Sequence, residues 1–153
     1  MPDELPDLQN LTPIVFRVRY AETDAMGIVH HSRYFPWFEM GRTEFMRGRG
    51  YTYRELEERG VNLAVVEATC RYRAPARYDD EIALYTWLGE MGRVRVTFHY
   101  AAYHATSRQL LVTGHTLHAF VDHTGRPLRI THHAEVWARL QAITATPPLE
   151  DAP

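Results

Sequence analysis

Asp24, Gly27, His30 and His31 fall close together in the run Tyr20–Glu39, YAETDAMGIVHHSRYFPWFE. Here a carboxylate sits in a turn-rich loop just ahead of a helix start, and two histidines sit at that start. A helix N-terminus carries unpaired backbone N–H groups and a partial positive charge. It therefore suits an oxygen that gains negative charge, such as the carbonyl of an acyl group under attack. Asp24 can present its carboxylate to the other side of that carbonyl, and Gly27 lets the backbone turn tightly or lets a ligand approach closely. The same residue types also serve plain capping and turn roles, so spacing alone leaves both readings open.

The other chemistry-bearing residues read as structural. Nine histidines are present, but they form no HExxH or cysteine–histidine ligand pattern. His115 and His118 are three apart on an expected strand and so face opposite sides, and His99 reads as an ordinary strand residue; no metal site is expected. Ser32 precedes a helix and lacks a G-x-S-x-G setting, which makes it a cap rather than a nucleophile. Glu39, one or two turns along the helix, can touch the pocket or stabilise Arg42, and reads chiefly as a structural residue. Tyr34 and Phe38 read as packing residues that can also line an acyl pocket. No glycine loop of the phosphate-cradling kind occurs, and no cofactor is expected.

The elements that must position this loop follow from periodicity. Pro13–Tyr20 alternates, with Ile14, Phe16, Val18 and Tyr20 on one apolar side, as in a strand. Ser32 as cap leads a helix over Arg33–Met46, with Phe35, Phe38, Arg42 and Phe45 at helical spacing and Gly41 placed for close packing. A short helix follows at Thr52–Arg59, with Thr52 as cap, Glu55 at the capping-box position and Gly60 after its end. Four strands are expected at Asn62–Arg73, Glu81–Met91, Arg93–His104 and Gln109–Asp122, with turns at Asp79–Asp80, Gly92 and Ser107. Leu128–Ile130 is a further short strand or coil, and a last helix spans His132–Ile143. One early helix followed by a long antiparallel meander is an α+β pattern.

The bulk numbers bound the answer. A chain of 153 residues suits one domain, with a core from about 14 to 143 and loose ends. A net charge of −2 gives no general field for nucleic acid or anionic membrane. No apolar run is long enough to span a bilayer. The opening MPDELPDLQNLTP lacks the basic and apolar regions of a signal peptide, so a cytoplasmic location is expected. The single cysteine, Cys70, sits in an apolar-alternating run and reads as a buried, inert thiol. All 17 basic residues are arginine, so any phosphate is gripped by arginine or backbone N–H, and no lysine serves as a base.

The segment RYAETDAMGIVHHSRYFPWFEMGRTEFMR resembles the opening motif of the 4-hydroxybenzoyl-CoA thioesterase family, including its Tol-Pal-associated branch. VEATCRYRAPARYDDEIALYTWL resembles that family's next block, with Pro75 and Asp79–Asp80 in place. The resemblance covers roughly residues 15–130. It implies a hotdog fold, in which an antiparallel sheet wraps one long helix and two subunits join their sheets. The sites then lie at the subunit interface of a homodimer, and dimers commonly pair into a homotetramer. It also implies acyl-CoA as substrate. The family's catalytic aspartate falls on Asp24, and its residue at the helix start falls on His31, whose backbone N–H would polarise the thioester carbonyl. His30 departs from the aromatic residue common in that branch. Asp24 would act as a general base on water, or attack the thioester itself and form a transient anhydride. Gly27 and Tyr34 are the expected substrate neighbours. Arg93 and Arg95, sharing a strand face, are the expected CoA phosphate grip, with Arg71, Arg73 and Arg77 behind them.

Two other functions compete. A hydratase or dehydratase on this fold would use a differently placed histidine and acid. A non-catalytic acyl-CoA-binding module would bind without hydrolysis, and as a transcription regulator it would need a DNA-binding segment for which the dozen residues before the first strand are too few. An acyl carrier protein as the thioester carrier is a further alternative.

Overall fold

The computed structural model of the chain describes residues 7–145, so most of the expected loose ends, at 1–6 and 146–153, lie outside the described residues. Five strands form one antiparallel sheet: β1 (Ile14–Arg17), β2 (Asn62–Tyr72), β3 (Glu81–Met91), β4 (Arg95–His104) and β5 (Leu110–Val121). Their spatial order is β1-β3-β4-β5-β2, which leaves β1 and β2 as the edges. Three helices accompany the sheet: α1 (Tyr34–Gly48), α2 (Tyr53–Glu58) and α3 (Ala134–Ala145). The sheet wraps α1, giving the α+β hotdog architecture that the motif implies.

Alternation on the strands makes the core. Val96, Phe98, Tyr100 and Ala102 of β4 point at α1, as do Val112, Thr116, His118 and Phe120 of β5, and all are buried. From α1, Tyr34, Trp37, Phe38, Phe45 and Met46 fill the same space. Phe38 stacks on Tyr100 with ring centroids 4.3 Å apart. Gly41 packs directly on Leu84 and Thr86, where a methyl group would overlap both side chains. Beneath Phe38 runs a buried polar chain. Arg42 donates to the Tyr100 hydroxyl (3.2 Å), which meets Thr116 Oγ1 (2.7 Å), which meets His118 Nε2 (2.8 Å).

Several elements depart from their expected bounds. β1 ends at Arg17, because the chain then turns into a 3-10 segment, Tyr20–Glu22. Tyr20 leaves the apolar face and is 77% exposed, its ring edge-on to that of Tyr78. Arg93 lies in the bend before β4, where Gly92 N–H donates to Arg95 O and Ile130 N–H to Arg93 O. Leu128 forms no strand; a 3-10 turn at Ile130–His132 precedes α3. Cys70 is only partly buried, though burial still pushes its thiol up to about 11. Among the described residues no helix is long and apolar enough to cross a membrane.

Candidate active site

The loop between β1 and α1 folds back on itself like a small hairpin. Thr23 and Val29 form an antiparallel bridge, Asp24 N–H donates to Ile28 O (2.9 Å), and His30 N–H donates to Glu22 O (2.9 Å). Asp24 opens the turn at its tip, with Gly27 N–H donating to Asp24 O (2.9 Å). The turn needs φ of +76° at Gly27, where any side chain would be strained. One carboxylate oxygen, Asp24 Oδ1, accepts the Met26 N–H at 2.9 Å, which sets the direction of the group. Asp24 is therefore both a turn residue and a half-exposed carboxylate. The loop is tied to the segment after β2 by Val29 N–H donating to Ala76 O (2.8 Å) and by a bridge between Ile28 and Arg77.

The second arm of the loop runs into the helix start. His30, not Ser32, caps it: His30 is extended, and its Nδ1 accepts the Ser32 N–H at 3.3 Å. Ser32 lies one residue inside a 3-10 turn, His31–Arg33, where its own hydroxyl cannot cap; it sits 2.8 Å from the same His30 nitrogen. His31 is the first residue of that turn, so its N–H has no partner within it, and it donates to no other described residue. The Tyr72 hydroxyl at the end of β2 donates to His31 O at 2.8 Å, pinning the turn to the sheet. The His31 side chain is exposed, with its ring 4.1 Å from that of His30.

The remaining expected site residues divide. Tyr34 is 2% exposed, packed edge-on to Trp37 (4.7 Å) and Tyr72 (5.6 Å), and burial pushes its hydroxyl up to about 12. Within one chain it is a core residue and lines no open surface. Arg93 and Arg95 are exposed at the end of the sheet where β3 turns into β4. Asp24 lies at the other end, where β2 ends and β3 begins. The ten residues of β4 separate the two ends by roughly 30 Å, so one chain does not bring them together. Arg77 is nearer, its Nη1 standing 3.9 Å from where a Gly27 Cβ would be. Among the described residues no group of histidine, cysteine, aspartate and glutamate could hold a metal ion.

Two residues beside the loop were not singled out by type or spacing. Glu22 is a buried carboxylate, 3% exposed, and its Oε2 accepts the Trp37 indole N–H at 2.7 Å. Both line the floor of a cleft of about 740 Å³ between β1 and α1, whose lining includes neither Asp24 nor His31. The only hint in the sequence is Trp37 itself, since a buried indole N–H needs an acceptor.

Comparison with known proteins bears on this geometry. A family described as the thioesterase-like superfamily matches residues 18–151. YneP of Bacillus subtilis (strain 168), provisionally named an acyl-CoA thioesterase, is 34% identical over 105 residues, 69% of this chain and 75% of that protein. The crystal structure of a DHNA-CoA thioesterase from Staphylococcus aureus superposes with a TM-score of 0.76 at 26% identity, covering 86% of this chain and 91% of that one. A Thermus thermophilus protein described as hypothetical superposes with a TM-score of 0.78 at 33% identity, covering 88% and 98%.

Proposed function

The chain belongs to the thioesterase-like superfamily, and from that premise we propose that it hydrolyses an acyl-CoA thioester to the free acid and CoA. What supports this reading is a directed carboxylate in the loop that leads into a helix start. Asp24 Oδ1 is held by Met26 N–H, while the N–H of His31 opens the helix start with no partner among the described residues. The thioester oxygen takes the His31 N–H, and the positive end of the helix supports the charge that develops there. Asp24 removes a proton from the water that attacks the carbonyl carbon, or attacks that carbon itself to form an anhydride that water then cleaves to the free acid and Asp24. In both routes the C–S bond breaks and the CoA thiolate takes up a proton.

Dimerisation completes the proposal. β2 is an edge strand with Val65 and Val66 more than half exposed, a surface that calls for a partner. In the sheet register Arg95 stands level with Ala119 and hence with Ala64 of β2, while Tyr72 marks the Asp24 end. Two copies paired antiparallel through β2 about Ala68 would set Ala64 of one beside Tyr72 of the other. The partner subunit's Arg95 would then lie about three strand spacings, ~14 Å, from this edge, within reach of the phosphate end of a CoA whose thioester sits at Asp24. Arg77 is the arginine that the same chain offers.

The test is release of free CoA, followed with a thiol reagent, from acetyl-, hexanoyl-, palmitoyl- and benzoyl-CoA. Wild type is expected to hydrolyse at least one of these, and Asp24→Ala none while still binding it. Wild-type turnover by Asp24→Ala would remove Asp24 from the mechanism. Binding of these thioesters by wild type without CoA release would favour a binding module.

A further inference from the structure

We infer that Glu22 and Trp37 form a clasp that positions Asp24 against the start of α1, and that turnover depends on it; the inference rests on the role given to Asp24 above. Asp24 is carried by the first arm of the loop, and His31 follows the second. The bonds between the arms hold them to one another, and bonds to Ala76 and Arg77 tie the loop to the segment after β2. To the helix the loop is joined at the first turn, by His30–His31 and by Arg33 Nη2 donating to Ala21 O at 3.4 Å. With its contacts to the helix confined to that first turn, the arm bearing Asp24 could still tilt against α1.

Glu22 supplies the second joint. Its Oε2 accepts the Trp37 indole N–H at 2.7 Å, and its Oε1 accepts the Arg19 N–H at 2.8 Å, with Arg19 Nε 3.5 Å away. Its backbone oxygen takes the His30 N–H. Trp37 lies six residues beyond His31 in the sequence, about 9 Å along the helix at 1.5 Å per residue. Its ring is 1% exposed and wedged between Phe16 (5.0 Å) and Tyr34 (4.7 Å), so it cannot follow a moving loop. Two joints that far apart fix the tilt of the arm bearing Asp24 as well as its position.

The chemistry chosen for the second joint fits this task. A buried carboxylate is costly unless its oxygens are hydrogen-bonded, and an apolar pair would fill the same space more simply. What the carboxylate adds is direction, since charge-assisted hydrogen bonds are short and strongly oriented. Glu22 is 3% exposed, and the cleft it borders includes neither Asp24 nor His31, so it acts through the loop as a positioning residue.

Steady-state kinetics of Glu22→Gln, Trp37→Phe, the double variant and Asp24→Asn test this, on whichever of the four acyl-CoAs wild type hydrolyses. Circular dichroism establishes which variants are folded at the assay temperature, and either single variant decides if the other is not. Each folded single variant is expected to lose kcat about 10- to 100-fold, the scale for misplacement on the order of an ångström. KM is expected to stay within about threefold, as for an interaction that matters in the transition state. The double variant is expected to fall no more than about twofold below the worse single, because both substitutions break one contact. Wild-type kcat in a folded single variant, or a raised KM with kcat kept, overturns the clasp, and inactive Asp24→Asn then leaves the Asp24 reading standing. Wild-type turnover by Asp24→Asn overturns both.

Discussion

Acidification from pH 7 to pH 4 should draw stability out of this protein through His118. Its side chain is fully buried, edge-on to Phe98 (5.5 Å), with Nε2 on Thr116 Oγ1 at 2.8 Å. Burial, reinforced by the Arg42 charge at the other end of the polar chain, lowers its pKa from 6.5 to about 4. Between those values the unfolded chain takes a proton that the folded chain refuses. The contribution of His118 is therefore complete above pH 6.5 and is lost as the pH falls toward 4. A drop of this size is worth about 3 kcal/mol, a large part of a typical domain stability of roughly 5–15 kcal/mol. The assay is urea unfolding at pH 7, 6, 5 and 4 for wild type and His118→Gln, which keeps an amide for Thr116 and cannot be protonated. Other titrating groups cancel in the difference between the two proteins. That difference is expected to shift by about 3 kcal/mol against wild type across the range. A difference that stays constant from pH 7 to 4, or a His118 ring resonance titrating near 6.5 in the folded protein, would refute the reasoning.

Two further outcomes follow from packing and from the placement of arginines. Gly114→Ala would set a Cβ 2.5 Å from both Phe38 Cε2 and the Thr69 carbonyl oxygen of β2, so either the stack on Tyr100 or the β2–β5 pairing must give. The expected loss is about 1–3 kcal/mol, seen as a lower midpoint in thermal unfolding; an unchanged midpoint would show that the sheet has room to spare. Mixing inactive Asp24→Asn with Arg95→Ala under conditions that exchange subunits should restore roughly a quarter of wild-type sites, because about half the dimers are mixed and each then holds one complete site. No gain over the separate variants would mean that Arg95 does not serve a partner's site.

How far the sequence carried depends on what each feature asks of its residues. Strands buried on one face announce themselves by alternation, and β3 has the bounds expected for it, Glu81–Met91. β4 starts later than expected, because the Arg93 carbonyl takes the Ile130 N–H from beyond the sheet, although the Val94 carbonyl still takes the Phe120 N–H of β5. Those are long-range partners that no local pattern reveals. β1 stops early for a similar reason: its alternation runs on to Tyr20, but the Glu22 carboxylate draws the Arg19 N–H into a tight turn.

The site shows the same division. The turn at Asp24 was legible because Asp, Gly and a helix start are local chemistry, and Gly27 does take the positive φ that only glycine adopts freely. The cap is expected at Ser32, two residues too deep, because the ring of His30 does the work that a hydroxyl usually does. Glu22 was invisible, since a lone carboxylate two residues from Asp24 reads as solvated surface. Its burial depends on Trp37, fifteen residues on, turning its indole N–H toward the loop. The transferable signal lies on the helix. A tryptophan among phenylalanines on a buried helix face brings one donor into an apolar layer, and that donor must find an acceptor nearby. Here the acceptor is the Glu22 carboxylate, and it ties the loop to the helix.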